Sequence, residues 1–364
     1  MRDDLAESVL ARVMEWGPAE LAQKGADLQA MAQSKYDEYE GYNAGVRFLE
    51  SLVGWLSQFT DRTERAIAVE FVLRDLVFIS RAELDHAVQT VYPDFVRPLL
   101  ARLTAKELGL PPHRIRDVTQ AKEFRRLQRS TLVLGLADGA RLDRLRRTSA
   151  ELSHEQFFLT PEVGDAPLER AVEKLRSELG DEHRGGFQVV LLVDDFSGSG
   201  YTMLRREDEG DRWDGKLWKA HERMSKLQPE GIIADDAEVA VVLYVASREA
   251  EAWLREALKE SGLGWRLHVV QSLGDIGVHG DPITAVGETY FDDVVMDGNL
   301  RKGLERCDEP EPWLGFACAA LPVVLSHNCP NNSINLLWAE AAARDGRPIR
   351  ALFPRRARHG TTTP

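Results

Sequence analysis

Residues 188–202 read QVVLLVDDFSGSGYT. Five consecutive apolar residues, Val189 to Val193, run into two adjacent carboxylates, Asp194 and Asp195, and then into a loop of small residues. A short run this apolar marks a strand buried on both faces, the kind found inside a parallel sheet. Open parallel sheets bind ligands where their strands finish, so Asp194 and Asp195 are expected at the carboxyl edge. Gly198 and Gly200 permit close approach of a ligand, while Ser197, Ser199 and Thr202 supply hydroxyls.

A loop of this kind aims successive amide N–H groups at one phosphate, assisted by a helix expected to begin near Tyr201. Carboxylates accept hydrogen bonds from hydroxyls, so an acid pair beside an anion cradle describes a ribose 5-phosphate site. The competing reading is a polar turn with a solvated Asp pair. A dinucleotide fingerprint fits poorly, because Met203 occupies the third glycine position and the acids precede the glycines. The chain has no GKS or GKT sequence for a Walker loop.

The same grammar extends outward. From Ser130, apolar strand candidates at Thr131–Leu136, Val189–Val193, Val239–Ala246, Arg266–Gln271 and Ala317–Ser326 alternate with amphipathic stretches, including a helix candidate at Arg248–Ser261. This alternation predicts an α/β fold with a mainly parallel sheet flanked by helices. Upstream, from Asp4 to about Arg126, apolar residues recur three and four apart, as in Leu5, Val9, Leu10 and Val13, which predicts a helical module. The expected division is therefore 1–126 helical and 127–364 α/β. Ser80-Arg-Ala-Glu83 has the form of a capping box. The segment Val72–Leu103 fits either a helix-turn-helix or an ordinary helical bundle.

The chain has 364 residues, of which 43% are hydrophobic and 29% charged, an ordinary globular balance. Its net charge of −13 argues against a general nucleic-acid-binding surface, since such surfaces meet phosphates with clustered Lys and Arg. Cys307, Cys318 and Cys329 show no metal-ligand spacing and are odd in number, so unbonded, inert thiols are expected. No stretch has the length and apolarity of a membrane span or the plan of a signal peptide, and a cytoplasmic location without membrane partners is expected.

With those residues in view, a resemblance can be stated. An apolar strand, two acids, a small-residue loop and then Gly200-x-Thr202 resemble the phosphoribosyl pyrophosphate (PRPP) motif of the type I phosphoribosyltransferases, most closely the adenine-specific ones. Beyond this motif, FISRAELDHAVQTVYPDFVRP, LGLADGARLDRLRRTSAELSHEQ and LPVVLSHNCPNNSINLLW occur in an order that resembles PRTase-CE, a phosphoribosyltransferase-like group of prokaryotic conflict systems, over about Phe71 to Arg358. The resemblance implies that Asp194 and Asp195 bind ribose hydroxyls and that Ser197, Gly198, Ser199, Gly200, Tyr201 and Thr202 hold the 5-phosphate. It also implies a pyrophosphate loop at Asp138, Gly139, Ala140 and Arg141, for which a helix-start Asp cap with an exposed Arg is the alternative reading, with PRPP or a nucleotide as ligand and Mg²⁺ as a helper bound mainly through it. An antiviral effector role is implied as well, with a reverse transcriptase and a noncoding RNA as partners in the retron-associated cases.

Other residues stand on weaker signals. His327, Asn328, Asn331 and Asn332 follow the last strand candidate and are base-binding candidates, with an Asn-Pro turn as the alternative. His154-Glu155 reads as a helix start or a catalytic part, and Arg350–Arg358 as a solvated tail or an anion contact. Gly198 stands where hypoxanthine-type salvage enzymes carry a carboxylate near the base, which removes one candidate general base. No closing loop is identifiable, although Arg205–Lys216 and Gly280–Thr289 have the length. Two expectations follow: an enzyme acting at the anomeric carbon of a ribose 5-phosphate, or a catalytically degenerate sensor or assembly module with the same pocket.

Overall fold

In the computed structural model of the chain, the described residues are 3–159, 164–180, 185–207, 212–291, 303, 307, 311–340 and 348–355. Among them are the strands β1 (Val77–Ile79), β2 (Thr131–Gly135), β3 (Phe157–Leu159), β4 (Phe187–Ser197), β5 (Arg205–Arg206), β6 (Trp213–Asp214), β7 (Ile233–Ala246), β8 (Arg266–Ser272) and β9 (Val323–Leu325). Five form one sheet in the order β3-β2-β4-β7-β8, with every neighbouring pair parallel. All of β2 and the Val189–Asp194 part of β4 are buried, as expected of strands covered on both faces.

One face of this sheet, carrying Leu132, Leu134, Val190, Leu192, Val241 and Leu243, packs against three helices that link its strands. Asp165–Leu179 joins β3 to β4 and contributes Leu168, Val172 and Leu175, four and three residues apart. Lys216–Leu227 precedes β7 and contributes Leu217, Ala220, Met224 and Leu227. Arg248–Glu260 joins β7 to β8, as the sequence pattern predicted, and is capped by Ser247 Oγ, which accepts from the Ala250 N–H at 3.0 Å. Spacings of three and four keep these apolar residues on the face turned to the sheet.

The strand order contains a reversal. The chain passes from β2 to β3 on one side and then returns to place β4 on the other side of β2. The loops leaving the carboxyl ends of β2 and β4 therefore diverge, and such a switch point is where open parallel sheets form a ligand crevice.

The chain divides into two compact units, 84–274 and 1–83 with 275–364, so the division does not fall at 126/127. The physical reason lies in the second unit, where the two chain ends share one sheet and one core. β1 pairs in parallel with β9, Val77 opposite Val323. The final strand candidate, Ala317–Ser326, thus shortens to Val323–Leu325 and belongs to this two-stranded sheet rather than to the large one. Phe353 packs among Tyr36, Tyr39, Tyr42, Phe48 and Phe78, tying the late segment to the early helices of the unit.

The N-terminal region is helical apart from β1. The capping box forms as expected: Ser80 N–H donates to Glu83 Oε2 at 2.8 Å, and Glu83 N–H donates to Ser80 Oγ at 3.1 Å. Residues 81–107 run as one helical stretch through a π segment at Val91–Val96, and the break within Val72–Leu103 falls at 75–80, where it holds the strand β1. The expectation for the cysteines holds only for Cys329, a buried free thiol. Cys307 and Cys318 form a disulfide; their Cα atoms stand 6.2 Å apart, within bridging reach, a proximity the spacing in sequence does not reveal. Among the described residues no helix is long and apolar enough to cross a membrane.

Candidate functional site

Asp194 and Asp195 occupy the last part of β4, at the carboxyl edge of the five-stranded sheet. Side chains alternate along a strand, so the two adjacent acids have different surroundings. Asp194 is fully buried, whereas Asp195 is partly exposed. One oxygen of Asp194 accepts from the Asp195 N–H at 3.2 Å, and the other receives Lys216 Nζ at 2.5 Å. Burial, and then the charge of Asp195, push the Asp194 carboxyl up to about 6, with Lys216 and the Asp195 amide opposing the shift.

Asp195 faces the neighbouring loop. A Cβ added to Gly139 would stand 2.5 Å from Asp195 Oδ2, so glycine is what lets the loop after β2 meet this carboxylate. The loop is Asp138–Ala140, one 3₁₀ turn, followed by Arg141 in the left-handed region with φ 47°. Tyr244 on β7 secures it from below by donating its hydroxyl to Ala140 O at 2.7 Å. Burial, then Asp195 and Asp194, hold the Tyr244 phenol well above its ordinary range, so it stays protonated as that donor. Arg141 itself lies 3.6 Å from Asp85, which also meets Arg144 at 3.5 Å.

The loop after β4 is held by its own anchors. Ser247 Oγ donates to Gly198 O at 2.5 Å while capping helix Arg248–Glu260, and Trp253 Nε1 donates to Leu204 O at 2.8 Å. Gly200 has φ +76°, and a Cβ there would meet Trp253 Cδ1 at 2.6 Å, so the turn requires glycine on two grounds. The amides of Gly198, Gly200 and Thr202 have no acceptor among the described residues. Ser197 Oγ is buried without a hydrogen-bond partner. Buried polar groups are normally satisfied, so the unpartnered Ser197 Oγ, beside the amides of the buried Gly198 and Gly200, is a group that an anion would complete, whereas Thr202 is an exposed residue.

One expectation about this loop is corrected. No helix begins near Tyr201; the chain turns at Gly200–Leu204 and enters the β5–β6 hairpin. The next helix starts at Lys216, and its first amides are taken by the loop itself, Lys216 N–H to Thr202 O at 3.2 Å and Leu217 N–H to Met203 O at 2.9 Å. A helix start whose amides are so engaged is not open to a phosphate. The same hairpin accounts for the closing-loop candidate Arg205–Lys216, of which residues 208–211 lie outside the described residues. The other candidate, Gly280–Thr289, is largely the helix Pro282–Tyr290.

His327, Asn328, Asn331 and Asn332 belong to the unit formed by the chain ends, not to the unit that carries the acid pair. Leu325 and Asn328 exchange backbone hydrogen bonds at 3.0 Å, Asn331 O accepts from Phe316 N–H at 2.7 Å, and Asn332 Nδ2 donates to Phe316 O at 3.1 Å. His154-Glu155 lies in a 3₁₀ turn capped by Ser153 and Gln156, its helix-start reading, with Glu155 receiving Lys174. Arg350 and Arg355 of the late basic cluster are described, Arg355 over the Trp338 ring, whereas 356–358 lie outside the described residues.

Sequence reasoning missed Lys216, Tyr244, Ser247 and Trp253 as parts of the site. A lone phenol within the buried run of β7 was the signal for Tyr244; Lys216 had none beyond its place after Gly215. A separate cleft of about 630 Å³ opens between Phe95, Arg102 and Trp265 at the amino end of β8. Of its cations, Arg255, Lys259 and Arg266 pair with Glu251, Glu256 and Glu238.

Among the described residues no group of three or more His, Cys, Asp or Glu is arranged to hold a metal ion. In comparisons with known proteins, the model of the PRTase-CE family matches residues 52–355. No curated protein and no solved structure matches. The match covers most of the chain, which therefore belongs to the PRTase-CE family and is phosphoribosyltransferase-like.

Proposed function

We propose that this phosphoribosyltransferase-like chain binds PRPP or a nucleotide at the switch point and acts at the anomeric carbon of the ribose, by phosphoribosyl transfer or glycosidic cleavage. The observation that carries this reading is the pairing of two complementary donor sets. Asp195, with Asp194 beside it, offers carboxylate oxygens to sugar hydroxyls, while Ser197 Oγ and the amides of Gly198, Gly200 and Thr202 await an anion. A ribose 5-phosphate carries both kinds of group.

Chemistry at the anomeric carbon develops positive charge on the sugar as the leaving group departs. Asp195 orients the ring, and the negative charge of the pair stabilises the developing positive charge by electrostatics, without forming a covalent bond. The Asp138–Arg141 loop is kept against Asp195 by Gly139 and Tyr244, and that proximity supports a role for it in meeting the group on the anomeric carbon. Mg²⁺ suits this donor set: it prefers hard oxygens, keeps several waters and is usually carried by substrate phosphates with one or two carboxylates, here Asp195. When bound it neutralises the pyrophosphate charge. The cellular setting that fits the family is antiviral defence, with nucleotide depletion as the outcome.

A second reading, a sensor that binds the same ligand without turnover, draws on Gly198 in place of a carboxylate near the base and on Lys216 already occupying Asp194. Phosphorus NMR of the protein with PRPP and Mg²⁺, with and without nucleobases or nucleotides, separates the two. Release of pyrophosphate or loss of nucleotide in the wild type, absent in Asp194→Asn/Asp195→Asn, is the expected result. Ligand signals that shift without turnover would establish the sensor. Spectra identical with and without protein would overturn both readings.

A further inference from the structure

The phosphate loop lacks a counter-charge. Ser197 to Thr202 contains only neutral side chains, yet a sugar phosphate brings a charge of about −1.5 to −2 at neutral pH. Of the nearby cations, Arg205 is paired with Asp214 and lies over the Tyr201 ring, and Arg141 is paired with Asp85 on the β2 side. Lys216 is placed differently. Its N–H is bonded to Thr202 O, at the far end of the phosphate loop, while its ammonium reaches back to Asp194 and its side chain stays 34% exposed.

Lys216 is also in an unfavourable place for a structural lysine. It is the first residue of a 12-residue helix with no acidic residue in its first turn, and the positive end of the helix dipole disfavours a cation there. Gly215 before it has φ 118° and packs so close to Met203 O that a Cβ would stand 2.5 Å away, which fixes the direction from which Lys216 leaves the hairpin. An ammonium has three donors, and Asp194 takes one of them.

We infer that the two carboxylates have different tasks: Asp195 meets the sugar, Asp194 is a positioning residue that holds Lys216, and Lys216 supplies the charge that binds the ligand's 5-phosphate. This deepens the ribose-phosphate reading and rests on it. Asp194 is fully buried, and each of its oxygens already accepts one hydrogen bond, from the Asp195 amide and from Lys216, so burial is what directs its carboxylate to the lysine rather than to the ligand. Asp195, whose Oδ1 also accepts from the Phe196 N–H at 2.9 Å, is the partly exposed member of the pair and the acid that meets the hydroxyls.

Calorimetric titration of the full chain with ribose 5-phosphate and with ribose tests this, using Lys216→Met, Lys216→Arg, Asp194→Asn and the double variant Asp194→Asn/Lys216→Met. The expected result is a loss of at least tenfold in ribose 5-phosphate affinity for Lys216→Met, partial rescue in Lys216→Arg and no change for ribose. The double variant should bind no worse than Lys216→Met alone, because the second substitution removes a residue that acts only through the first. Losses that add would show Asp194 contacting the ligand itself and overturn its positioning role. Wild-type binding with Lys216→Met and Lys216→Arg both unaffected would overturn the assignment of Lys216 while leaving the site intact. No ribose 5-phosphate binding by the wild type would instead sink the ribose-phosphate reading beneath it. Thermal melting of each variant shows that it is folded.

Discussion

Two loops looked alike in sequence: Ser197–Thr202 after one apolar strand, and His327–Ser333 after another. In the structure the first retains unmatched donors, with Ser197 Oγ and the amides of Gly198, Gly200 and Thr202 unanswered. The second is largely absorbed into its surroundings. Cys329 N–H donates to Tyr39 Oη at 3.1 Å, Ser333 Oγ donates to Val323 O at 2.6 Å, and the Asn332 side-chain amide is held by Phe316 O; the exceptions are Ser326 Oγ, just before the run, and the Asn331 N–H, which has no acceptor among the described residues. Small polar residues after a strand thus serve recognition or scaffolding according to whether the fold completes their hydrogen bonds.

Two glycines break or sharpen that contrast most strongly. Gly315, in the scaffold, has φ 81° and ψ −171°, a region only glycine enters readily, and a Cβ there would press on the backbone oxygens of Ser333 and Asn331. Backbone on both sides leaves no escape, so Gly315→Ala should cost on the order of 3 kcal/mol in urea unfolding. At Gly139→Ala the nearest atoms are those of the Asp195 side chain rather than backbone, and a side chain can shift where backbone cannot. This variant should unfold within about 1 kcal/mol of wild type yet lose PRPP affinity by roughly tenfold or more, as one misplaced charged hydrogen bond implies. If Gly139→Ala binds PRPP normally, Asp195 is not the ligand-facing acid.

What the sequence disclosed and what it hid divide along physical lines. The strands of the large sheet were legible because burial on both faces writes a continuous apolar run, as in Val189–Val193. The position of the acid pair and its loop at a strand end was legible because the apolar run stops at Asp194-Asp195 and a Ser-Gly-Ser-Gly turn follows Phe196. β1, β3 and β9 are three residues long, too short to carry a period, so the β1–β9 pairing that joins the chain ends was invisible. The hairpin was hidden for the same reason, and with it the displacement of the helix start from Tyr201 to Lys216. Lys216 and Tyr244 join the site through tertiary placement, which spacing along the chain does not encode.

The buried acid gives the recognition loop a cost that the scaffold loop does not carry. An ordinary aspartate titrates near pH 4, whereas burial and Asp195 raise Asp194 to about 6. Between these values the folded chain retains a proton that the unfolded chain has lost, so this group lowers stability as pH rises through that window. Asp194→Asn removes the term. The urea midpoint of the wild type should fall relative to that of Asp194→Asn between about pH 4 and pH 6, then run parallel above it. A constant difference across the window would mean that Lys216 keeps Asp194 ionised throughout.

The smallest effect expected is the most specific. Ser197 Oγ lies buried with no hydrogen-bond partner, so Ser197→Ala deletes a polar group that the fold itself does not satisfy. Relief of that desolvation should make the free protein slightly more stable, by about 1 kcal/mol. If the hydroxyl donates to the 5-phosphate, the same variant should bind PRPP roughly five- to tenfold more weakly, the worth of one hydrogen bond. Opposite signs in melting temperature and in affinity are what distinguish a recognition group from a scaffold group such as Ser333 Oγ, already bonded to Val323 O, where loss of the hydroxyl should lower stability. Should Ser197→Ala reduce both, its hydroxyl belongs to the scaffold after all, and the contrast between the two loops would rest on the amides alone.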